Sequence, residues 1–189
     1  MAKVGDKDIE DKVFETTREM LLKYGVKGWN MDDLSEECGM SKRTLYKIIA
    51  NKEELLLKTS INQQESNIAK IERYFKSSES YEFLLNNFED TLIDIYDEFI
   101  IKNAEILSKE YPRIGEAINK RKQGFKQIYT DFFRKAEELG FFVEFFKPAA
   151  MYGIINDILT YYILNCKSKI EFEEKMRFAI KALIRGIRK

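Results

Sequence analysis

The chain of 189 residues has no histidine, and it has only two cysteines, two prolines and nine glycines. Without histidine, a Ser-His-Asp triad, the most common general base and the most common transition-metal ligand are all excluded. The two thiols, Cys38 and Cys166, are too far apart in sequence to form a Cys-x-x-Cys motif, and lone thiols suit a reducing compartment. We therefore expect no metal site and no cofactor, and an enzyme with an all-α body is the least supported class of function.

Long apolar runs are also missing from the chain. The most apolar stretch, residues 154–164, is too short to span a bilayer and contains Asn156, Asp157 and Thr160. The first six residues are not followed by the apolar core of a signal peptide. These features predict a cytoplasmic protein that does not bind a membrane.

Charged and helix-forming residues are abundant. Lys and Arg number 32, Asp and Glu also number 32, and apolar residues make up 44% of the chain, which is enough to form a core. Glycine and proline together are about half as frequent as usual, which favours long helices joined by few turns. We predict an all-α fold of about nine helices.

Apolar spacing and capping residues predict where these helices begin and end. The first helix covers residues 8–24 and ends at Gly25, whereas Asn30, Ser41 and Asn51 cap the next three, the last of which reaches about residue 75. Further helices are predicted over residues 81–101, 102–110, 114–139, 148–163 and 170–187. Residues 141–146 could be locally extended.

Two short helices separated by Gly39-Met40-Ser41 form a helix-turn-helix, because glycine permits the sharp bend and serine caps the second helix. The second helix and the start of the next carry cations, hydroxyls and a phenol, which suit phosphate oxygens and base edges. The candidate DNA-binding residues are Ser41, Lys42, Arg43, Thr44, Tyr46, Lys47 and Lys52. Charge alone would equally fit an ordinary solvated helix surface.

Two adjoining segments carry a family resemblance. They are Leu34-Ser35-Glu36-Glu37-Cys38-Gly39-Met40-Ser41-Lys42-Arg43-Thr44-Leu45-Tyr46 and Asn51-Lys52-Glu53-Glu54-Leu55-Leu56. Together they resemble the DNA-binding domain of the tetracycline-repressor (TetR) family, over about residues 8–57. The chain departs from the family pattern at Ile48-Ile49, where an aromatic pair is usual, although Ile49 can fill the same apolar slot.

The resemblance implies a domain organisation and a function. Residues 1–57 would form a three-helix DNA-binding head, and residues 58–189 a helical body for ligand binding and dimerisation. The family pattern places Tyr46 and Lys52 at phosphate contacts. It implies a homodimer that represses transcription until a small molecule binds.

The body carries no comparable motif, and its aromatic residues are the main indication of a ligand site. Rings on two helices could line an apolar pocket with a few polar anchors. The candidate ligand-binding residues are Phe88, Tyr96, Phe99, Asn103, Phe125, Tyr129, Phe132 and Phe133. Such a wall would suit a hydrophobic or aromatic effector. The alternative is that these rings form an ordinary core instead of lining a pocket. The acidic stretch between Glu79 and Glu110 would favour a cationic effector, but a solvated surface is the simpler interpretation.

The last two helices have apolar faces wider than one partner helix requires. The candidate interface residues are Tyr152, Ile155, Leu159, Tyr162, Met176, Ile180, Leu183 and Ile187. Two copies pairing about a two-fold axis would bury this surface as a four-helix bundle. The alternative is that both helices pack only within the chain.

The sequence therefore predicts a dimeric transcriptional repressor that binds a palindromic operator and is released by a small apolar or aromatic effector. A regulator without effector control stays open, because the volume of a pocket cannot be derived from sequence.

Overall fold

The computed structural model describes residues 7–189, apart from the side chain of Gln123, and this part contains ten α-helices. They are α1 (Lys7–Tyr24), α2 (Met31–Glu37), α3 (Lys42–Ile48), α4 (Lys52–Phe75), α5 (Tyr81–Asn86), α6 (Phe88–Ile95), α7 (Glu98–Glu110), α8 (Pro112–Glu138), α9 (Pro148–Asn165) and α10 (Lys169–Ile187). The all-α prediction is confirmed. The prediction that the chain starts without a signal peptide concerns residues 1–6, which lie outside the described part.

No described helix is both long enough and apolar enough to cross a membrane. Residues 141–146, which could have been extended, contribute only an isolated bridge between Phe142 and Arg188.

The predicted caps of the helix-turn-helix are confirmed. The Asn30 side chain accepts the backbone N–H groups of Asp32 and Asp33, and the Asp33 carboxylate accepts the Asn30 N–H, so a capping box begins α2. Gly39 then turns the chain with φ +64°, a conformation that glycine adopts without a steric penalty. The Ser41 hydroxyl accepts the backbone N–H of Thr44 at 3.1 Å and begins α3.

The single helix predicted over residues 81–101 is wrong, because the chain breaks twice there. The Asn87 amide donates to the Phe83 carbonyl oxygen at 2.8 Å, which separates α5 from α6. The Asp97 carboxylate accepts the Ile100 N–H at 3.2 Å and caps α7, which then runs on through the expected boundary near residue 101. Apolar spacing is continuous across both breaks, so only the short polar side chains of Asn87 and Asp97 indicated them.

One core joins the helix-turn-helix to the body. Its buried side chains come from α1 to α4 and also from α7 and α8, where Phe99, Leu107 and Ile114 contribute. Ile49 is 2% exposed and belongs to this core, as expected for the position where the family has an aromatic residue. The proposed boundary at residue 57 falls inside the uninterrupted helix α4, so the division into head and body stays a prediction.

A second core, rich in aromatic rings, holds the body together. Helix α8 packs against α4, α7 and α9, and α10 packs against α6 and α9. Phe75 of α4 stacks on Phe132 of α8 with ring centres 4.0 Å apart, and Phe88 meets Phe133 edge-on at 5.5 Å. Such ring pairs add stability beyond the area that they bury.

Replacing Phe88 with alanine should reduce the free energy of unfolding by about 3–5 kcal/mol, because the ring is fully buried and its loss leaves a cavity. Urea unfolding at a fixed protein concentration, followed by circular dichroism, measures the change. The matched control is Phe83→Ala, since Phe83 is 46% exposed and its loss should cost about 0.5 kcal/mol or less. Equal losses for the two variants would contradict the central place of Phe88.

Candidate DNA-binding surface and ligand cavity

Helix α3 is held by one fully buried side chain, Thr44 and Ile48 are half-buried, and the other side chains face solvent. Leu45 is fully buried in the head core. Lys42, Arg43 and Lys47 are exposed, and Tyr46 is 49% exposed. The predicted DNA-binding side chains of α3 therefore share one accessible surface, on which cations and a phenol lie close together.

The candidate residues differ in the partners that they have in this state. Ser41 caps α3, and its hydroxyl lies 2.9 Å from that of Thr44. The Lys42 ammonium lies 2.6 Å from the Asp32 carboxylate, with both side chains more than half exposed. An exposed pair of this kind is weak and can be exchanged for a phosphate. Within residues 7–189, the cations of Arg43 and Lys47 form no ion pair.

Lys52 is less accessible than the α3 side chains. Its ammonium lies 3.9 Å from the centre of the Trp29 ring and donates a hydrogen bond to the Trp29 carbonyl oxygen. Burial lowers the pKa of Lys52, and the Asp33 carboxylate opposes this effect. The contact holds the start of α4 against the loop before α2. A phosphate contact by Lys52 would have to replace this arrangement.

A cavity of about 370 Å³ lies in the body between α4, α7, α8 and α9. Four of the predicted ligand-binding residues line it, namely Tyr96, Phe99, Phe125 and Tyr129. Its volume is within the usual range for small-molecule sites, about 300–1,000 Å³.

The other four predicted ligand-binding residues do not line this cavity. Phe88, Phe132 and Phe133 are at most 4% exposed and lie in the aromatic core. Asn103 is also buried, and its amide donates to the Phe99 carbonyl oxygen at 2.9 Å within α7. These side chains support the fold around the cavity without facing it.

Several polar residues of the cavity wall were missed by sequence reasoning. The cavity is also lined by Ser60, Gln63, Gln64 and Asn67 of α4, by Asn119 and Lys122 of α8, and by Tyr152, Asn156 and Thr160 of α9. The α4 set recurs every three or four residues, which is a polar stripe on one face of a helix. This spacing was the signal that could have identified the wall.

The cavity contains phenols that stay protonated. Burial raises the pKa of Tyr96 and raises that of Tyr129 well above its ordinary value, and the neighbouring Tyr152 contributes to both shifts. The Tyr152 hydroxyl donates to the Lys122 carbonyl oxygen at 3.1 Å. Tyr96 and Tyr129 can therefore act as hydrogen-bond donors toward a bound molecule.

An ion pair connects the first helix of the head to the rim of the cavity. Arg18 Nη2 lies 2.6 Å from the Asp97 carboxylate, and the guanidinium lies 5.1 Å from the centre of the Phe99 ring. Asp97 is flanked in sequence by Tyr96 and lies two residues before Phe99, which both line the cavity. The partner of Arg18 therefore lies in the same short segment as two rings of the cavity wall.

The candidate interface residues lie mostly inside the chain. Ile155, Leu159, Met176 and Ile180 are at most 6% exposed and pack in the body core. The remaining four, Tyr152, Tyr162, Leu183 and Ile187, are half-buried against the same core. Other apolar side chains face outward instead: Ile154, Tyr161 and Leu164 on α9, and Ile170 and Phe178 on α10.

The described residues offer little for covalent or metal chemistry. Both cysteines are buried, and burial raises the pKa of each thiol, so neither is a reactive thiolate. Across residues 7–189, no group of three or more Cys, Asp and Glu side chains is arranged to hold a metal ion.

Comparisons with known proteins agree with this geometry. Residues 13–59 match the family model for bacterial regulatory proteins of the tetR family. The fold is similar to that of the regulatory protein TetR from Rhodobacter sphaeroides, with 13% identity, a TM-score of 0.76, and 94% of this chain and 97% of that chain covered. No curated protein matches the chain.

Two further structures are similar over nearly the whole chain. The fatty acid degradation regulator FadR from Bacillus halodurans is 16% identical, with a TM-score of 0.72 and 94% and 95% of the two chains covered. SmeT, the repressor of the Stenotrophomonas maltophilia multidrug efflux pump SmeDEF, is 13% identical, with a TM-score of 0.66 and 95% and 90% covered. Because the matched segment contains the helix-turn-helix, residues 13–59 form a DNA-binding domain of the tetR family, and the whole chain has the fold of TetR-family regulators.

Proposed function

We propose that this chain is a TetR-family transcription factor and not an enzyme, and that it acts as a cytoplasmic dimeric repressor that binds a palindromic operator and leaves it when a small apolar or aromatic molecule occupies the cavity. The observation that most directly supports this proposal is the cavity beside α4. Helix α4 begins next to α3 at Lys52 and forms the cavity wall between Ser60 and Asn67. A filled core here would have favoured a regulator without effector control. SmeT, which has a similar fold, is a repressor.

An effector can release DNA only if it binds the DNA-free conformation more tightly than the DNA-bound one, and the coupling is reciprocal. Ile71 and Phe75 at the far end of α4 are not the residues through which a ligand would act. Neither residue lines the cavity, and Ile71 is fully buried in the body core. The α4 residues that a ligand would touch, Ser60 to Asn67, lie much closer to the head.

The surface best suited to a second copy is the outward apolar stripe of α9 and α10. Tyr161 is 62% exposed and Phe178 is 77% exposed, although both are large and apolar. Exposed apolar surface on adjoining helices is typical of an interface. Two copies joined there would present two α3 helices to one palindromic duplex.

The first prediction concerns phosphate contacts. Tyr46→Phe and Lys52→Ala should each weaken binding to a selected operator and to an unrelated duplex by the same factor, because a phosphate contact carries no base information. Lys52→Ala should also lower the slope of log affinity against log salt by about one. Fluorescence anisotropy titrations at several salt concentrations measure both effects.

Control variants for these contacts are Tyr24→Phe and Lys126→Ala, which alter exposed residues away from α3 and should leave binding unchanged. The assigned role would be overturned if either test variant changed which operator sequence is preferred.

The second prediction concerns the dimer. The double variant Tyr161→Glu and Phe178→Glu should be monomeric and should lose specific operator binding, because unpaired charge would be buried in the interface. Sedimentation velocity and circular dichroism measure assembly and folding. The matched control is Phe145→Glu, since Phe145 is 73% exposed but lies in the loop between α8 and α9. A double variant that stays dimeric would place the interface elsewhere.

The third prediction concerns transmission from the cavity to the head. A saturating neutral probe, phenylnaphthylamine, should lower operator affinity by about fivefold or more, and operator DNA should lower probe affinity by the same factor. Asp97→Asn keeps the cap of α7, since asparagine also caps helices, but removes the ion pair with Arg18. It should therefore reduce the coupling factor about two- to fivefold.

The control for this variant is Glu105→Gln, which removes an exposed ion pair with Lys109 on the same helix and should leave the coupling unchanged. Full coupling in Asp97→Asn would exclude this ion pair from the switch. Equal probe affinity with and without DNA in the natural chain would exclude the switch itself.

A further inference from the structure

Among the described residues that line the cavity, one is charged, and it is a lysine. Lys122 lies on α8, and the other described lining residues are apolar or neutral polar side chains, with no aspartate or glutamate among them. The acidic residues between Glu79 and Glu110 therefore do not face a ligand here. The net charge of the wall suits an anion and opposes a cation.

The protein provides little to neutralise the positive charge of the Lys122 ammonium. Its one hydrogen bond is to the Thr160 hydroxyl at 3.4 Å, and within the described residues no carboxylate lies inside ion-pair distance. The Asp157 carboxylate acts on it from farther away, while burial lowers the pKa of Lys122. A half-buried cation without a close counter-ion is unfavourable, and a bound anion would remove part of this cost.

Two uncharged hydrogen-bond donors, the hydroxyls of Tyr96 and Tyr129, can bind an anion together with Lys122. Tyr129 lies seven residues after Lys122, which places both on one face of α8. The hydroxyls of Tyr96 and Tyr129 form no hydrogen bond with another described residue. Protonated phenols can share an anionic oxygen with the ammonium of Lys122.

The α4 wall offers unpaired acceptors instead. Ser60 is 4% exposed and Gln63 is 6% exposed, yet the Ser60 hydroxyl and the amide oxygens of Gln63 and Gln64 have no hydrogen-bond partner. The Gln63 amide nitrogen already donates to Asn67 at 3.0 Å, which leaves its oxygen available. Buried polar atoms in native proteins are nearly always paired, so these atoms are available to form hydrogen bonds with a bound molecule.

We propose that the effector is an amphipathic organic anion. Its carboxylate or sulfonate group binds Lys122, its aromatic or alicyclic body fills the apolar space between Phe99, Phe125 and Leu159, and a hydroxyl or N–H group donates to Gln63 or Gln64. The inference rests on the proposed function, because it takes the cavity to be the effector site.

Two fluorescent probes with the same ring system test the inference. Anilinonaphthalene sulfonate is an anion, whereas phenylnaphthylamine lacks the sulfonate and is neutral. Lys122→Met removes the charge and keeps most of the length of the side chain. It should weaken binding of the anionic probe about tenfold or more and leave binding of the neutral probe unchanged. Lys122→Arg keeps the charge and should keep the affinity for the anionic probe.

Further variants locate the probes and check folding. Ala104→Phe fills the cavity and should abolish binding of both probes, whereas Lys126→Met, an exposed lysine one turn along α8, should affect neither. Retained binding of the neutral probe shows that Lys122→Met is folded.

The possible failures are distinguishable. If Lys122→Met weakens both probes equally, or neither, the anion inference is overturned while the cavity remains a ligand site. If neither probe binds the natural chain, the proposed effector site fails together with the inference.

Discussion

Helix α4 is the element on which the arrangement of the whole chain depends. It runs for 24 residues without a break, and its two ends are buried in different cores. Leu55 and Leu56 lie at most 1% exposed in the head core, and Ile71 is fully buried in the aromatic core of the body. A hydrogen-bonded helix does not kink sharply without a specific cause. The orientation of the head is therefore tied to the packing around α4.

The middle of this helix is polar where a core would be apolar. Ser60 and Gln63 are buried and carry unpaired polar atoms, which lowers stability in the absence of a partner molecule. Functional sites often lower the stability of a protein locally. The rest of the structure supplies enough stability to compensate for this loss. The two well-packed ends of α4 provide this support, so a ligand can interact with the middle of the helix without unfolding either core.

Local signals predicted the fold better than they predicted the sites. Caps such as Asn30 and Ser41 act within a few residues, so the helix-turn-helix could be located from sequence. Helix α9 is apolar on several faces, so periodicity could not show that Ile155 points inward and Tyr161 outward. The aromatic stripe of α8 is likewise longer than the cavity: its first rings line the cavity, whereas Phe132 lies in the core. Which part of a stripe meets empty space depends on the neighbouring helices.

The two connections between cavity and head are physically different. The Arg18–Asp97 pair is about one-third exposed on each side, and such pairs contribute about 0–1 kcal/mol. Allosteric coupling is typically about 1–3 kcal/mol, so the pair alone could supply only the lower end of that range. In the proposed switch, packing along α4 and around Phe99, which lies in the head core and also lines the cavity, would carry the larger share of any stronger coupling. Since packed cores shift between discrete arrangements, the proposal implies that a ligand repositioning Phe99 would change the head more than a broken ion pair would.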